Sequence, residues 1–218
     1  MSDLESENQA QQVAIDALEA ENQALTDRLA CVKSASNASE FVFEGCNVYV
    51  RNGAGQTNSI NGFGNLIVGY DEERIDYSCS LGFFYNSNQT DCEAAGGIWW
   101  TSNKTGSHNM VIGTEHNYNS FGGFVAGTRN TISDEYASVS GGAANTAADR
   151  AASVSGGGAN SATGWYASVS GGSANIAKGE GTSVSGGEGC IHQAGSQYSW
   201  GVGDTVFGTG CVSTNNTP

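Results

Sequence analysis

The pentapeptide Ser-Val-Ser-Gly-Gly occurs four times in this chain, at a constant step of 15 residues. The copies begin at Ser138, Ser153, Ser168 and Ser183. Repeats this short cannot form helix pairs or propeller blades, which need about 30 to 50 residues each. The period instead predicts a mainly β fold, a parallel β-roll (β-solenoid), in which each repeat makes one coil and equivalent residues stack about 4.8 Å apart.

Each repeat predicts three kinds of ladder along the roll. Alternation along a strand sends one residue inward and its two neighbours outward. The inward ladder is formed by Val139, Val154, Val169 and Val184, and the small residues Ala147, Ala162 and Ala177 suit a second inward ladder. The Asn ladder consists of Asn145, Asn160 and Asn175, with Cys190 at the next equivalent position. The paired glycines predict a tight corner, and the Asn residues either adopt left-handed backbone or bind turn amides through their side chains.

The period extends beyond the perfect copies. Val-x-Gly triplets 14 residues apart precede them, and a similar segment near Asn65 to Tyr70 predicts an outlying coil. The resulting organisation has five parts. They are 1–33, a coiled-coil helix; 34–70, the strands that lead into the roll and the first outlying coil; 71–107, a disulfide-pinned aromatic loop insertion; 108–205, the β-roll repeats; and 206–218, a C-terminal cap and tail.

The first 33 residues predict a helix that associates with copies of itself. Apolar residues recur with the 3.5-residue period of a coiled coil. The d positions are Leu4, Gln11, Leu18, Leu25 and Val32, and the a positions are Asn8, Ile15, Asn22 and Leu29. A single amphipathic helix lying on the body is the alternative, and the heptads do not decide between two and three strands. A thin roll with one Val per coil buries little apolar surface, which favours association of several chains.

Two segments outside the repeats carry a resemblance to a known family. They read Asn61-Gly62-Phe63-Gly64-Asn65-Leu66-Ile67-Val68-Gly69-Tyr70 and Gly106-Ser107-His108-Asn109. With the helix and the repeats, they resemble bacterial secreted hemagglutinin- or adhesin-like proteins, and more broadly the head-and-stalk plan of trimeric autotransporter (YadA-like) adhesins. The resemblance implies a left-handed roll, a parallel homotrimer and attachment to cells, glycans or matrix. The adhesin-head core usually reads Ser-Val-Ala-Ile-Gly, and here Ser-Gly replaces Ala-Ile.

Six cysteines form an even set without Cys-x-x-Cys metal knuckles. Their positions in the predicted organisation favour three pairs, Cys31–Cys46, Cys79–Cys92 and Cys190–Cys211. An interchain bond at Cys31 is the main alternative. Disulfides are typical of an oxidising compartment. Residues 1–30 have no basic start followed by an apolar run. We therefore expect either a secreted chain whose signal was removed, located outside the cell or at its surface, or a virion part made in the cytoplasm.

The insertion between Asp71 and Ser107 is the candidate binding surface, because aromatic residues on a rigid loop suit recognition of sugars or proteins. The candidate residues are Phe83, Phe84, Tyr85, Trp99 and Trp100. The alternative is that these side chains cover the end of the stack or pack between chains.

Composition excludes several functions. The chain has 8 basic and 22 acidic residues, a net charge of −14, which disfavours nucleic acid and anionic lipid. We interpret the acidic run Asp71-Glu72-Glu73 as solvated charge, since it lacks the alternating spacing of calcium loops. No nucleophile or metal motif includes any of the three His residues. We predict no enzyme, no cofactor, no metal and no membrane span. An adhesin or fibre protein is the first hypothesis, and a structural filament or phage tail fibre subunit is the alternative.

Overall fold

The computed structural model describes residues 2–34, 40–75, 77–79, 88–192, 200–202 and 212–214. The chain forms two compact units, Met1–Tyr49 and Val50–Pro218.

The first unit is a helix followed by a small hairpin. Helix α1 (Ser2–Arg28) precedes strands β1 (Val32–Ser34) and β2 (Phe41–Phe43), which pair antiparallel. The predicted disulfide between Cys31 and Cys46 is present, with a Cα–Cα distance of 5.9 Å. The helix is therefore shorter than the predicted 33 residues, because the disulfide and the hairpin draw the chain after α1 into an extended path. The last predicted heptad position lies in β1 rather than in the helix.

The second unit contains all the remaining strands and one short helix. The strands before the repeats are β3 (Leu66–Val68), β4 (Ser78–Cys79) and β5 (Trp99–Trp100), with helix α2 (Gln89–Ala94) between β4 and β5. The strands of the repeats are β6 (Met110–Thr114), β7 (Asn117–Tyr118), β8 (Phe124–Thr128), β9 (Thr131–Ile132), β10 (Ser138–Val139), β11 (Thr146–Ala147), β12 (Ser153–Val154), β13 (Ser161–Ala162), β14 (Ser168–Val169), β15 (Ile176–Ala177), β16 (Ser183–Val184) and β17 (Ile191–His192). The last two strands are β18 (Trp200–Val202) and β19 (Val212–Thr214).

The predicted parallel β-solenoid is confirmed. One sheet has nine strands in the order β19-β18-β16-β14-β12-β10-β8-β6-β3, and a second has six in the order β17-β15-β13-β11-β9-β7. Each of the six coils contributes one strand to each sheet, from β6 and β7 to β16 and β17. The outlying coil is also confirmed, since β3 pairs parallel with β6. At the other end, β19 pairs antiparallel with β18. The left hand of the roll stays a prediction.

The core is the pair of inward ladders that the repeat predicts. The four repeat valines pair in register from coil to coil and are at most 1% exposed. Val111 and Val125 extend this ladder by two coils and are fully buried. Across the core, Ala147, Ala162 and Ala177 are also fully buried. Each coil of the regular part thus closes its apolar core within a single chain.

Hydrogen bonds connect the Asn ladder from coil to coil along one buried corner of the roll. The side chain of Asn160 accepts a hydrogen bond from the N–H of Asn175 at 3.0 Å. Its Nδ2 donates to the carbonyl oxygens of Gly156 and Gly172, both at 2.9 Å. Its own N–H donates to Oδ1 of Asn145 at 2.9 Å. The Asn side chains therefore accept from turn N–H groups that would otherwise be buried without partners. They also add a second donor to carbonyls such as that of Gly172, which accepts from the N–H of Gly158 as well.

The left-handed residue of each corner is not the Asn itself. Ala144, Ala159 and Ala174, which each precede a ladder Asn, have φ of 56°, 54° and 56°. The sequence left two roles open for Asn, a left-handed backbone or a side chain that binds turn amides. The structure shows the second. The second glycine of each pair also has positive φ, as at Gly157 with φ of 82°.

The ladder begins with a histidine. His116 lies where later coils have Asn, and its Nδ1 is 3.3 Å from the N–H of Asn130. Its Nε2 is 3.1 Å from the carbonyl oxygen of Ile112, four residues earlier. Asn130 makes the same pair of contacts, because its Nδ2 donates to the carbonyl of Ala126 and its Oδ1 accepts from the N–H of Asn145. A neutral imidazole with its proton on Nε2 thus replaces the amide of Asn.

Candidate binding surface

The aromatic insertion interrupts the outlying coil at the corner that the Asn ladder occupies elsewhere. Before the insertion, the carbonyl of Glu72 accepts from the N–H of Glu115 at 3.0 Å. After it, the N–H of Asn103 donates to Oδ1 of Asn117 at 2.8 Å, and the carbonyl of Asn103 accepts from the N–H of Tyr118 at 2.7 Å. The coil therefore stops at residue 72 and resumes at residue 103. The insertion is residues 73–102, shorter than the predicted 71–107, because residues on both sides of it belong to the roll.

A buried charged cluster joins the two ends of the insertion to the first coil. Oδ2 of Asp71 lies 3.3 Å from Nζ of Lys104 and accepts from the hydroxyl of Tyr118 at 3.0 Å. Arg74 donates to the carbonyls of Glu115 at 3.1 Å and Asn130 at 3.5 Å. Burial and the nearby Asp71 carboxylate raise the pKa of the Tyr118 hydroxyl, so that it remains a hydrogen-bond donor.

The position of Asp71 corrects one expectation. The run Asp71-Glu72-Glu73 was interpreted as solvated charge, but Asp71 is only 7% exposed and pairs with Lys104. A hydrogen bond and an ion pair offset part of the desolvation of that carboxylate. Within the described ranges, no group of three or more His, Cys, Asp or Glu side chains could hold a metal ion.

The insertion has its own small scaffold. Strands β4 and β5 pair antiparallel, and Asn88 caps α2 by accepting from the N–H of Asp91 at 2.8 Å. The predicted disulfide between Cys79 and Cys92 is present, and both cysteines are buried. A Cβ at Gly97 would lie within 2.8 Å of both sulfur atoms, so the chain approaches the disulfide closely there. The disulfide thus fixes α2 against the hairpin.

Three aromatic residues of the insertion are among the described residues, and two of them form a stacked pair. The ring of Trp99 stacks on Tyr77 with centroids 6.1 Å apart and an interplanar angle of 4°. Tyr77 is 62% exposed, and Trp99 is half-buried. Trp100 is also half-buried, and its indole nitrogen is buried without a hydrogen-bond partner among the described residues. The predicted binding residues Phe83, Phe84 and Tyr85 lie outside the described residues. Tyr77 was missed by the sequence interpretation, although it is one of the aromatic residues that flank Cys79.

The third predicted disulfide stays a prediction. Cys190 is buried in the core, and its N–H donates to Oδ1 of Asn175 at 2.9 Å. Cys211 lies outside the described residues.

We expect the histidine at the start of the ladder to make stability dependent on pH. Burial lowers the pKa of His116 below its usual value of 6.5, with Asp71 opposing and Arg74 reinforcing this direction. The unfolded chain then binds a proton more readily than the folded chain below pH 6.5, so the free energy of unfolding falls as the pH decreases through that value. His116→Asn should remove this part of the pH dependence, because Asn makes the same two contacts without titrating.

Thermal unfolding of both proteins between pH 5 and 8 measures this effect, with the wild type losing more stability at the acid end. Parallel profiles for the two proteins would contradict the role assigned to His116.

Comparison of the chain with protein-family models, with curated proteins and with solved structures finds no match. In the described part of the chain, neither helix is long and apolar enough to cross a membrane.

Proposed function

We propose that this protein is an extracellular, adhesin-like attachment protein, in which the β-roll is a rigid rod and the insertion contacts the target. The observation that carries the proposal is the stacked Tyr77–Trp99 pair, which is partly exposed on a scaffold fixed by a buried disulfide. Rigid aromatic side chains bind sugars and proteins at a small entropic cost. The insertion is in turn held on the roll by the Asp71–Lys104 pair.

The proposed location agrees with the chemistry of the chain. Two disulfides indicate an oxidising environment. The net charge of −14 keeps a long rod soluble and favours targets that are not polyanions.

We further propose that the protein is a parallel homotrimer joined through α1. The apolar heptad residues within α1 are exposed in the single chain, at 66% for Leu4, 47% for Ile15, 58% for Leu18 and 54% for Leu25. A helix with such a seam is stabilised when other copies cover it. Three strands, rather than two, follow from the resemblance to trimeric adhesin heads.

Substitutions on the helix test the assembly. We expect a wild-type mass of three chains in solution, and a lower mass for the double variant Leu18→Glu/Leu25→Glu, because charge at d positions opposes the seam. Val13→Glu is the matched control, since Val13 is 69% exposed but lies outside the a and d positions. Sedimentation measures all three masses. A monomeric wild type at micromolar concentration, with its coils folded, would rule the trimer out.

Binding to cells tests the insertion. Tyr77→Ala should weaken attachment of the purified protein to target cells about tenfold, since exposed aromatic anchors dominate such contacts. Tyr70→Ala is the control, because Tyr70 is 96% exposed but precedes the insertion. The melting temperature and the mass of both variants should match the wild type. If Tyr77→Ala instead unfolds or dissociates the protein, the aromatic residues cover the stack or an interface, and the binding proposal fails.

A structural filament or phage tail fibre subunit is the alternative, and one observation favours it. Strand β3 is the last strand of its sheet, and Leu66, Ile67 and Val68 are 46%, 45% and 51% exposed. Ile67 pairs with Val111, which is fully buried, so the core is partly open at this end. An edge of this kind can pair with another chain. Electron microscopy of the purified protein distinguishes filaments from discrete particles.

A further inference from the structure

A second aromatic surface lies on the roll itself, far along the chain from the insertion. It occupies the corner that leads from the six-stranded sheet back to the nine-stranded one. We name it the aromatic corner and define it by Glu135, Tyr136, Asp149, Arg150, Trp165 and Tyr166. Backbone hydrogen bonds place these residues in register, since the N–H of Ala151 donates to the carbonyl of Glu135 at 2.9 Å and the N–H of Tyr166 to that of Arg150 at 3.0 Å. Glu135, Arg150 and Trp165 therefore form one column, and Tyr136, Ala151 and Tyr166 form the next.

The tyrosines of this corner have a left-handed backbone conformation, which is unfavourable for residues with bulky side chains. Tyr136 has φ of 60° and Tyr166 has φ of 55°, in the left-handed region where a bulky side chain is an outlier. In the following coil, the same position is Gly181, with φ of 63°. Tyr136 recovers some stability through an edge-on contact with Phe121, at a centroid distance of 5.4 Å. Tyr166 is 55% exposed, so burial does not offset its strain. Ala151, at the same position in the intervening coil, also has positive φ, at 52°, so the corner requires this conformation. A bulky tyrosine is not required there, and its presence at a cost in strain points to a function.

The neighbouring tryptophan is exposed but held in place. Trp165 is 51% exposed, and its side chain hydrogen-bonds to Asp149. Burial raises the pKa of the Asp149 carboxyl, while the hydrogen bond from Trp165 acts in the opposite direction. Beside it, Nε of Arg150 pairs with Oε1 of Glu135 at 2.6 Å. The corner thus combines an aromatic face of fixed orientation with polar groups that can donate and accept hydrogen bonds.

We propose that the aromatic corner binds an uncharged glycan chain that lies along the axis of the roll. Tyr136 and Tyr166 are two coils apart, about 10 Å, a spacing on which alternate sugars of an extended glycan present the same face. Ala151, at the same position in the intervening coil, has only a small side chain. Sugar rings stack on aromatic faces through their C–H groups, and the Glu135–Arg150 pair is within the same surface to bind hydroxyls. The acidic groups of the corner and the net charge of −14 oppose anionic polymers such as nucleic acid.

This inference supplies a ligand class for the proposed attachment function, but it rests on a different surface from the insertion. The protein is tested against insoluble chitin and cellulose by pull-down, and against chitohexaose and cellohexaose by calorimetry. We expect binding by the wild type, and binding about tenfold weaker for Tyr166→Gly, since one exposed aromatic anchor is lost. The same variant should melt at an equal or higher temperature than the wild type, because glycine adopts positive φ without strain. A lost affinity with retained stability separates a binding role from a structural one.

Tyr70→Ala is the matched control, because Tyr70 is an exposed tyrosine outside both proposed binding surfaces, and this variant should bind these glycans as the wild type does. Wild-type protein that binds none of the four glycans overturns the proposal, as does Tyr166→Gly with unchanged affinity. Loss of glycan binding in Tyr77→Ala, with Tyr166→Gly unaffected, would assign the glycan to the insertion and overturn the corner. Loss of cell attachment in Tyr77→Ala with glycan binding intact would support both surfaces separately.

Discussion

Gly157→Ala should destabilise the roll by about 3 kcal/mol or more, the combined effect of a left-handed conformation and a steric overlap. Gly157 has φ of 82°, a conformation that alanine adopts only with strain. A Cβ at this position would overlap the carbonyl oxygen of Gly172 in the next coil and lie 2.8 Å from Nδ2 of Asn160. Both neighbours belong to the stack, so relief would require the coils to separate.

The adjacent glycine is the matched control. A Cβ at Gly156 meets nothing within 4 Å, and its φ lies outside the left-handed region. Gly156→Ala should therefore change stability by less than about 1 kcal/mol, and alanine also loses less entropy on folding than glycine. The midpoints of denaturant unfolding compare the two variants with the wild type. Equal midpoints for both variants would show that the second glycine is not required by the stacking of coils.

The regular coils are the part of the roll that the sequence could predict. A period of 15 residues fixes the stacking of equivalent residues, and strand alternation then decides which of them point inward. Val154 and Ala162 were predicted on these grounds alone, and both are fully buried. The disulfides Cys31–Cys46 and Cys79–Cys92 followed from the order of the segments around them. In each case the inference used positions along the chain, which a repeat translates directly into positions in space.

The charged cluster at the base of the insertion could not be predicted in this way. Asp71 and Lys104 are 33 residues apart and belong to no repeat, so only the folded coil brings them together. A weak signal existed nevertheless. Asn103 and Asn117 are separated by the 14-residue step of the early coils, which marks the point where the interrupted coil resumes.

The histidine at the start of the ladder and the tyrosines of the aromatic corner were missed for a different reason. Each stands at a repeat position where the other coils have another residue. His116 replaces Asn, and Tyr166 stands where the next coil has Gly181. Departures from a consensus are visible in the sequence, but their meaning depends on contacts. His116 preserves the hydrogen bonds of the residue it replaces, whereas Tyr166 adds strain and exposure.

Asn160→Ala should also destabilise the roll by about 3 kcal/mol, because it leaves buried backbone groups without partners. The substitution removes the acceptor of the N–H of Asn175 and the side-chain donor to the carbonyl of Gly156, whereas the carbonyl of Gly172 keeps the N–H of Gly158 as a donor. Asn160 is 1% exposed, so water cannot easily replace these bonds. Asn58→Ala is the control, since Asn58 is exposed on the surface. Denaturant unfolding measures both variants, and a loss below about 1 kcal/mol for Asn160→Ala would contradict the role of the ladder.

The isosteric variant Asn160→Asp separates hydrogen bonding from packing. The carboxylate has the shape of the amide and can still accept from the N–H of Asn175, but it cannot donate to the two glycine carbonyls. At neutral pH it also places a buried negative charge beside those oxygens, so the loss of stability should exceed that of Asn160→Ala. Burial without a cationic partner should raise the pKa of the new carboxyl above its unfolded value. The folded state then binds the proton more readily, and the variant should recover stability as the pH falls towards 5. His116 is present in both proteins and lowers the stability of both in that range, so the stability of Asn160→Asp relative to the wild type should rise as the pH falls. A difference between the two proteins that does not change with pH would contradict the buried carboxylate.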